Sequence, residues 1–315
     1  MRLLEVRGGA PLDPTAPSER AQLQLPETAV YEHNRSAFDA FFGVRTPPPR
    51  GPTVRMSEVP DRYGALIRSY ERLRREAAPS IARLDLGQAR QLGRDYRLLA
   101  YQIGSSAPHG DKIGVFLSAG IHGDETGAAM GLLEIFTQIS KDPSILRRFE
   151  PIIVVPAVNP IGLDLGVRED LEGRDPNRQF WGQDLSRAWS VRALEGLVES
   201  AVKPERPFVF IDLHQDDRYE VKEAYALYGN DASRPLAEAA ISGARAAQFT
   251  AAAGEIDGVK NEDGVLPKVY PGTFRPSPKR SPKNTRELVL EINDPAGFWP
   301  AVAAVLTTPE LRSGR

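Results

Sequence analysis

The stretch G-V-F-L-S-A-G-I-H-G-D-E-T-G-A-A-M-G, residues 114–131, decides the fold. Its apolar run at 115–117 is bounded by glycine and predicts a buried strand. The apolar residues that follow recur at helical spacing and predict a helix: Ala128, Met130, Leu132, Leu133, Ile135 and Phe136. Proteins of the α/β class place their chemistry at such glycine-rich turns between a strand and a helix. The turn with His122 and Glu125 is therefore the first candidate site.

His122 and Glu125 lie three residues apart, so a first helical turn brings both side chains to one side. An imidazole nitrogen and a carboxylate oxygen so placed are two metal ligands that need a third. The chain has four histidines and no cysteine; His33 lies in a proline-rich stretch and His109 in a polar loop. His214 instead closes the apolar run F-V-F-I-D-L-H, a second predicted buried strand. The three residues together predict a metal site, although either histidine alone also fits a core or turn position.

The composition is that of one large globular domain, with or without a small extra segment. The chain has 315 residues, of which 41% are hydrophobic and 26% charged, and its net charge is −2. Without cysteine it has neither disulfides nor a thiolate zinc site. The start M-R-L-L-E-V-R-G-G lacks the apolar core of a signal peptide, and no run approaches the ~20 apolar residues of a membrane span. These features predict a cytoplasmic protein with neither a membrane nor a nucleic acid as partner.

The N-terminal residues 1–60 are predicted to form an irregular arm with few helices, because they hold nine of the 27 prolines. Their one apolar group, at 37–42, is expected to dock on the main body. From residue 61 apolar residues follow a helical face, and Pro79 ends this helix. Alternating segments at 81–86 and 96–103 then predict two strands of a hairpin-like pair.

The rest of the chain alternates predicted strands with predicted helices. The strands are at 152–155, 208–214, 225–228 and 288–292. The helices are at 191–202, 236–247 and 298–306. Residues 163–190 and 251–286 are predicted loops, and V-N-P-I-G at 158–162 a turn. We therefore expect an α/β fold, with a mixed, mostly parallel sheet and helices on both faces.

The polar loop after this turn supplies donor groups. Arg168, Asn177 and Arg178 follow the third buried strand closely, so they are expected near the metal ligands. The alternative is that they belong to a solvated surface loop.

Five motifs occur here in the order and spacing of the zinc carboxypeptidase superfamily, which this chain resembles. They are H-x-x-E at 122–125, N-P-x-G at 159–162, R-x4-G-x-D-x-N-R at 168–178, I-D-L-H at 211–214 and L-E-I-N-D at 290–294. The superfamily includes the succinylglutamate desuccinylase and aspartoacylase branch. The resemblance implies a zinc carboxypeptidase-like catalytic domain over residues 61–315. One departure is Pro176, which stands where the family more often has leucine or alanine.

The resemblance also implies roles for individual residues. His122, Glu125 and His214 would bind one Zn²⁺ per chain, and Asp175 would orient His122. Arg168 would polarise the scissile carbonyl group, and Glu291 would be the general base. Asn177 and Arg178 would bind a substrate carboxylate. Glu287 competes with Glu291, and Tyr270 is either a substrate-capping residue or an ordinary loop tyrosine.

The predicted function is zinc-dependent removal of a C-terminal amino acid from a small peptide that bears a free carboxylate. The alternative within the family is hydrolysis of an N-acyl amino acid. Two histidines and a carboxylate also describe an iron(II) oxygenase site, and a non-catalytic zinc-binding module is a further alternative. Residues 265–286 carry six cations and no acidic residue, which favours either an acidic substrate or a solvated basic surface.

Overall fold

The computed structural model describes residues 29–44, 59–77, 79–105, 112–182, 187–202, 206–215, 222–256, 258–267 and 285–311, with side chains from residue 35 onward. Seven helices occur in these ranges: α1 (Ala29–Phe42), α2 (Arg62–Glu76), α3 (Thr126–Lys141), α4 (Pro160–Leu165), α5 (Trp189–Ala201), α6 (Arg234–Ala246) and α7 (Phe298–Thr307). None of these described helices has the length and apolar character that a membrane span requires.

Eleven strands lie in the same ranges: β1 (Ile81–Gln91), β2 (Arg94–Ile103), β3 (Ile113–Ala119), β4 (Phe149–Val155), β5 (Phe208–His214), β6 (Glu223–Tyr228), β7 (Thr250–Ala251), β8 (Glu255–Ile256), β9 (Val259–Lys260), β10 (Val265–Pro267) and β11 (Thr285–Ile292). Nine of the strands form one sheet in the order β1-β2-β4-β3-β5-β11-β6-β10, with β7 also paired to β6. The strands β4, β3, β5 and β11 are parallel to one another. The pairs β1–β2, β2–β4 and β6–β11 are antiparallel, whereas β7 and β10 pair with β6 in parallel fashion. The predicted mixed, mostly parallel sheet is confirmed.

Helices cover both faces of this sheet, as predicted. Alternate residues of a strand point to opposite faces. Val115 and Leu117 of β3 accordingly join the larger core with α3, α6 and α7, whereas Phe116 joins the second core with α5. The ring of Phe116 stacks on that of Phe210 at 5.3 Å. Every residue of β3, β4 and β5 is buried, which explains their mostly apolar sequences.

The strand register brings the candidate residues to one edge of the sheet. The parallel pair β3 and β5 aligns Ala119 with Leu213, so the turn with His122 begins where β5 ends. On the other side of β5, Glu291 of β11 is the partner of His214. Parallel strands therefore present these residues together at their carboxyl ends.

The structure corrects three local predictions. Part of the predicted irregular arm is the helix α1, although Phe38 is fully buried and docks on the core as expected. The division of the chain at residue 60 stays a prediction. Residues 160–165 form α4 rather than a turn, because the Asn159 side chain caps Gly162 N–H and Pro160 opens the helix. The predicted loop at 251–286 contains four short strands, β7 to β10.

Candidate metal centre

The turn from β3 to α3 places His122 and Glu125 by close backbone packing. A Cβ atom on Gly123 would lie only 2.0 Å from the carbonyl carbon of Gly162 in α4, so this position has no room for a side chain. The Glu125 N–H lies 3.4 Å from the His122 carbonyl oxygen, and α3 begins at the next residue. The tight turn therefore directs both side chains to the edge of the sheet where β5 ends.

The predicted ligands converge at this edge. Oε1 of Glu125 lies 2.5 Å from Nδ1 of His122, and Oε2 lies 2.9 Å from Nδ1 of His214. One ligand atom from each residue can be chosen so that all three lie within 4.8 Å of one another. The three residues are at most 3% exposed. Two imidazoles and a carboxylate at this spacing are a donor set that suits zinc.

The outer nitrogens of the two histidines face carboxylates. Nε2 of His122 lies 3.1 Å from Asp175 Oδ1, and Nε2 of His214 lies 2.9 Å from Asp212 Oδ2. A proton held on Nε2 leaves a lone pair on each Nδ1, which faces the shared centre. This carboxylate–histidine arrangement accompanies metal-binding histidines, so the residues present fit a metal ion.

The charges of the cluster depend strongly on one another. Burial opposes the charged form of His122 and His214, but the surrounding carboxylates, Glu125 foremost, together outweigh it and raise the pKa of both rings. Burial likewise works against ionised Glu125, yet the two histidines hold its pKa well below the usual range. The carboxylate is thus ionised and available as a ligand.

Arg168 extends over the cluster as predicted. Its guanidinium lies 3.4 Å from Glu125 Oε1 through Nη1 and 3.1 Å from Asp175 Oδ2 through Nη2. Burial by itself would lower the pKa of Arg168. The nearby carboxylates, Glu125 and Asp175 foremost, outweigh burial and raise this pKa above its usual value, so Arg168 stays charged. Its side chain is 35% exposed, which leaves part of the guanidinium accessible from solvent.

Asn177 and Arg178 lie beside the same residues. The Asp175 carboxylate accepts a hydrogen bond from Asn177 N–H at 2.7 Å and starts a short 3-10 turn with Pro176. Nδ2 of Asn177 is 3.4 Å from His214 Nε2, and Nη1 of Arg178 donates to the Asn177 carbonyl at 3.0 Å. Proline at 176 therefore leaves both donors next to the cluster.

The two candidate bases lie at different points of β11. Glu291 pairs in register with His214, and its negative charge contributes to the raised pKa of that histidine. Glu287 lies four residues before Glu291 on the same strand. It pairs with Phe210 and packs against Gly229. Tyr270, the predicted capping residue, lies outside the described residues, and so do His109 and the side chain of His33.

Three residues of the centre were not predicted from the sequence: Ser118, Asp212 and Gln215. Asp212 holds His214 and accepts a hydrogen bond from the Ser118 hydroxyl at 2.7 Å. Gln215 donates its N–H to Glu125 Oε2 at 3.2 Å and accepts from Gly127 N–H at 2.7 Å. The role of Asp212 had a sequence signal, since residues two apart on a strand share a face. No comparable signal marks Ser118 or Gln215.

Residues 111–257 match the family described as the succinylglutamate desuccinylase/aspartoacylase catalytic domain. None of the curated proteins matches the sequence significantly. Many solved structures share the fold. One of them, named as a metallopeptidase, is from Shewanella amazonensis SB2B. It shares 20% sequence identity with this chain and superposes with a TM-score of 0.60, over 82% of this chain and 95% of the other.

Two carboxypeptidases show the same likeness. Carboxypeptidase A from Helicoverpa armigera has 12% identity and a TM-score of 0.59, over 90% of this chain and 81% of the other. A metallo-carboxypeptidase from Burkholderia cenocepacia has 17% identity and a TM-score of 0.51, over 78% and 66%. The resemblance predicted from the motifs is confirmed: this chain has the fold of the zinc carboxypeptidase superfamily, and its residues 111–257 match the desuccinylase/aspartoacylase catalytic domain.

Proposed function

We propose that this protein is a zinc-dependent hydrolase that removes a C-terminal amino acid from a small peptide with a free carboxylate. The observation that carries the proposal is the convergence of His122, Glu125 and His214, with both outer imidazole nitrogens held by aspartates. Zinc at such a site supplies Lewis acidity, which polarises a carbonyl group and makes water more acidic. The chain's own residues then supply the proton transfer and the substrate contacts.

Glu291 is the proposed general base, because it is the ionisable side chain that β11 brings beside His214. It would accept a proton from the attacking water and deliver it to the leaving amine. Arg168 would stabilise the negative charge that develops on the carbonyl oxygen, since its guanidinium is charged and partly open to solvent.

Asn177 and Arg178 are the proposed partners of the substrate carboxylate. A guanidinium offers two parallel N–H donors, which match the two oxygens of a carboxylate. The position of Asn177 beside His214, with Arg178 bonded to the Asn177 carbonyl, supports a substrate whose carboxylate lies close to the scissile bond. Such a substrate is small or ends near the bond that is cleaved.

A second candidate is hydrolysis of an N-acyl amino acid, which the match of residues 111–257 favours. Both reactions cleave an amide bond beside a carboxylate, so the same residues serve either one. The difference lies in the group on the other side of the bond, a peptide in one case and an acyl chain in the other.

Metal analysis and a substrate panel test the proposal. We expect one zinc per chain by elemental analysis and loss of most of that metal in His122→Ala. The loaded protein should hydrolyse members of a panel of dipeptides, blocked peptides and N-acyl amino acids, read by mass spectrometry, and a chelator should abolish the activity. Iron in place of zinc, full metal retention in His122→Ala, or no hydrolysis across the panel would contradict it. The better class of substrate decides between the two candidates.

A further inference from the structure

Asp164 is a fully buried carboxylate in α4 to which the proposed reaction assigns no role. Its Oδ1 accepts a hydrogen bond from Tyr63 N–H at 2.7 Å. Its Oδ2 accepts from Nη1 of Arg94 at 2.7 Å and from the Tyr96 hydroxyl at 2.9 Å. A buried carboxylate is costly without such partners. These bonds therefore fix α4 against the start of α2 and against β2.

Arg62 joins α4 to the N-terminal helix. Its Nη1 donates to the Asp164 carbonyl oxygen at 2.6 Å. Its Nε and Nη2 donate to the two carboxylate oxygens of Asp39, on α1, at 2.7 and 2.8 Å. Arg62 is 2% exposed, so its guanidinium is removed from water and depends on these partners. One buried side chain thus links α1, α2 and α4.

The backbone turn that leaves α4 leads directly to Arg168. Gly166 has φ +68°, and its N–H and that of Val167 donate to the Gly162 carbonyl at 2.7 and 3.0 Å. A Cβ atom at Gly166 would lie 3.0 Å from Nη1 of Arg35, a residue of α1. The N-terminal helix therefore covers the turn that lies two residues before Arg168.

The helix α4 also contacts the turn that bears the proposed ligands. Gly162 is the residue against which Gly123 packs, and Gly123 lies between His122 and Glu125. A displacement of α4 would consequently move both the approach to Arg168 and the support of the ligand turn.

We propose that α1 is a positioning element of the site, which acts through the Asp39–Arg62 pair on α4 and thereby sets where Arg168 lies. Neither α1 nor α2 falls within residues 111–257, the part of the chain that matches the family, so that match assigns them no role. The role of Arg168 in this inference rests on the proposed function, whereas the placement of α4 does not.

Hydrogen exchange read by mass spectrometry tests the placement without any need for activity. Asp39→Asn keeps the shape of the side chain but leaves the Arg62 charge with a neutral partner. We expect the amides of Gly166 and Val167 to exchange about tenfold faster or more, because a weakened anchor lets this turn open more often. A peptide from β5 should exchange as in the wild type. Unchanged exchange at both amides in a folded variant would overturn the proposal.

A matched control lies on the same helix α2. Arg68 pairs with Asp61 at 2.8 Å, but both side chains are more than half exposed. Arg68→Gln removes an ion pair of that kind, which contributes little to stability. The Gly166 and Val167 amides should exchange at the wild-type rate in this variant. Equal acceleration in both variants would assign the effect to general loosening of α2 and overturn the proposal.

The double substitution Asp39→Leu with Arg62→Met covers the case in which Asp39→Asn does not fold. Replacing a buried ion pair by apolar side chains often preserves stability, because no charge is left unpaired. The variant nevertheless lacks the donor to the Asp164 carbonyl. We expect near-normal thermal stability with faster exchange at Gly166 and Val167. Normal exchange in this folded variant would contradict a positioning role.

Steady-state kinetics then test whether the position of α4 affects the reaction through Arg168. With zinc content equal to that of the wild type, Asp39→Asn should lower kcat/KM, and Arg168→Ala should lower it further. In the Arg168→Ala background, Asp39→Asn should have little additional effect, because both changes act on one group. Fully additive losses would contradict the proposal. A wild-type protein that hydrolyses no member of the panel would refute the proposed function, and the exchange measurements would still decide the role of α1.

Discussion

Each histidine of the metal centre turns Nδ1 to Glu125 and Nε2 to an aspartate, either Asp175 or Asp212. The aspartates hold the rings in one orientation and in one tautomer. Because both aspartates contact proposed ligands, changing them should affect metal affinity before it affects the fold.

Asp212→Asn should weaken zinc binding about 10- to 100-fold, because the amide keeps the shape but loses the charge that raises ligand basicity. Competition with a chelator of known affinity measures this. Asp231→Asn, at an exposed position on a short turn, is the control and should bind zinc as the wild type does. Equal affinity in the two variants would mean that Asp212 does not support the ligand.

Glu291→Gln should keep its zinc but lose about two to four orders of magnitude in kcat, since the base is removed and the ligands are not. Glu287 pairs with Phe210, four residues from the pair of Glu291 and His214, so Glu287→Gln should leave kcat nearly unchanged in the same assay. Elemental analysis and steady-state kinetics on both variants check this pair. A silent Glu291→Gln with an inactive Glu287→Gln would show that the general base was assigned to the wrong glutamate.

The element that organises the site most is the short helix α4, although it has only six residues. It contacts the turn that bears His122 and Glu125 through Gly162, and it contacts the strand β2 through Asp164. Gly166, which directly follows α4, packs against Arg35 of α1. Six residues do not form a stable helix alone, so these tertiary contacts maintain it. Its exit turn offers a direct test of how tightly α1 packs there.

Gly166→Ala and Gly173→Ala place a side chain at two left-handed positions, with φ +68° and +72°. The backbone cost alone is about 1–2 kcal/mol in each case. Nothing lies within 4 Å of a Cβ at Gly173, whereas Arg35 lies 3.0 Å from one at Gly166. Gly166→Ala should therefore lower the free energy of unfolding by more, as measured by urea denaturation. Equal losses would argue against close packing of Arg35 on this turn.

At the scale of the whole molecule, a net charge of −2 coexists with a basic segment at 265–286. Its cations are Lys268, Arg275, Lys279, Arg280, Lys283 and Arg286. All except Arg286 lie outside the described residues, and Arg286 donates to the Glu310 carbonyl at 3.2 Å. This segment ends within the start of β11, the strand that bears the proposed base, so we propose that it selects acidic substrates.

Substrates that differ only in a terminal Glu, Leu or Lys test this selection. One hydrogen-bonded contact to a charged group is worth about 1.5–3 kcal/mol, so kcat/KM should favour Glu by roughly ten- to a hundredfold. A preference that comes from solvent-exposed cations should fade at high ionic strength, whereas a buried contact should persist. Equal kcat/KM for the three substrates at both salt concentrations would leave the segment as ordinary surface.

Local sequence patterns were sufficient to locate the sheet and the three residues that could hold a metal ion. The strands β3, β4 and β5 are mostly apolar because both their faces are buried, and the turn motif around His122 and Glu125 is contiguous. His214 was found because few histidines compete for the role. The helices α1 and α4 were missed, since prolines near α1 and the N-P-I-G turn signal suggested irregular backbone.

The contacts that hold these helices were beyond reach of any local pattern. Arg62 reaches Asp39 over 23 residues and the Asp164 carbonyl over 102, and Ser118 reaches Asp212 over 94. Whether a buried charge finds a partner depends on which elements pack together, and the packing is decided by the whole chain. The sequence alone therefore placed the candidate ligands at the ends of the strands, while the fold alone showed which partners the buried charges find.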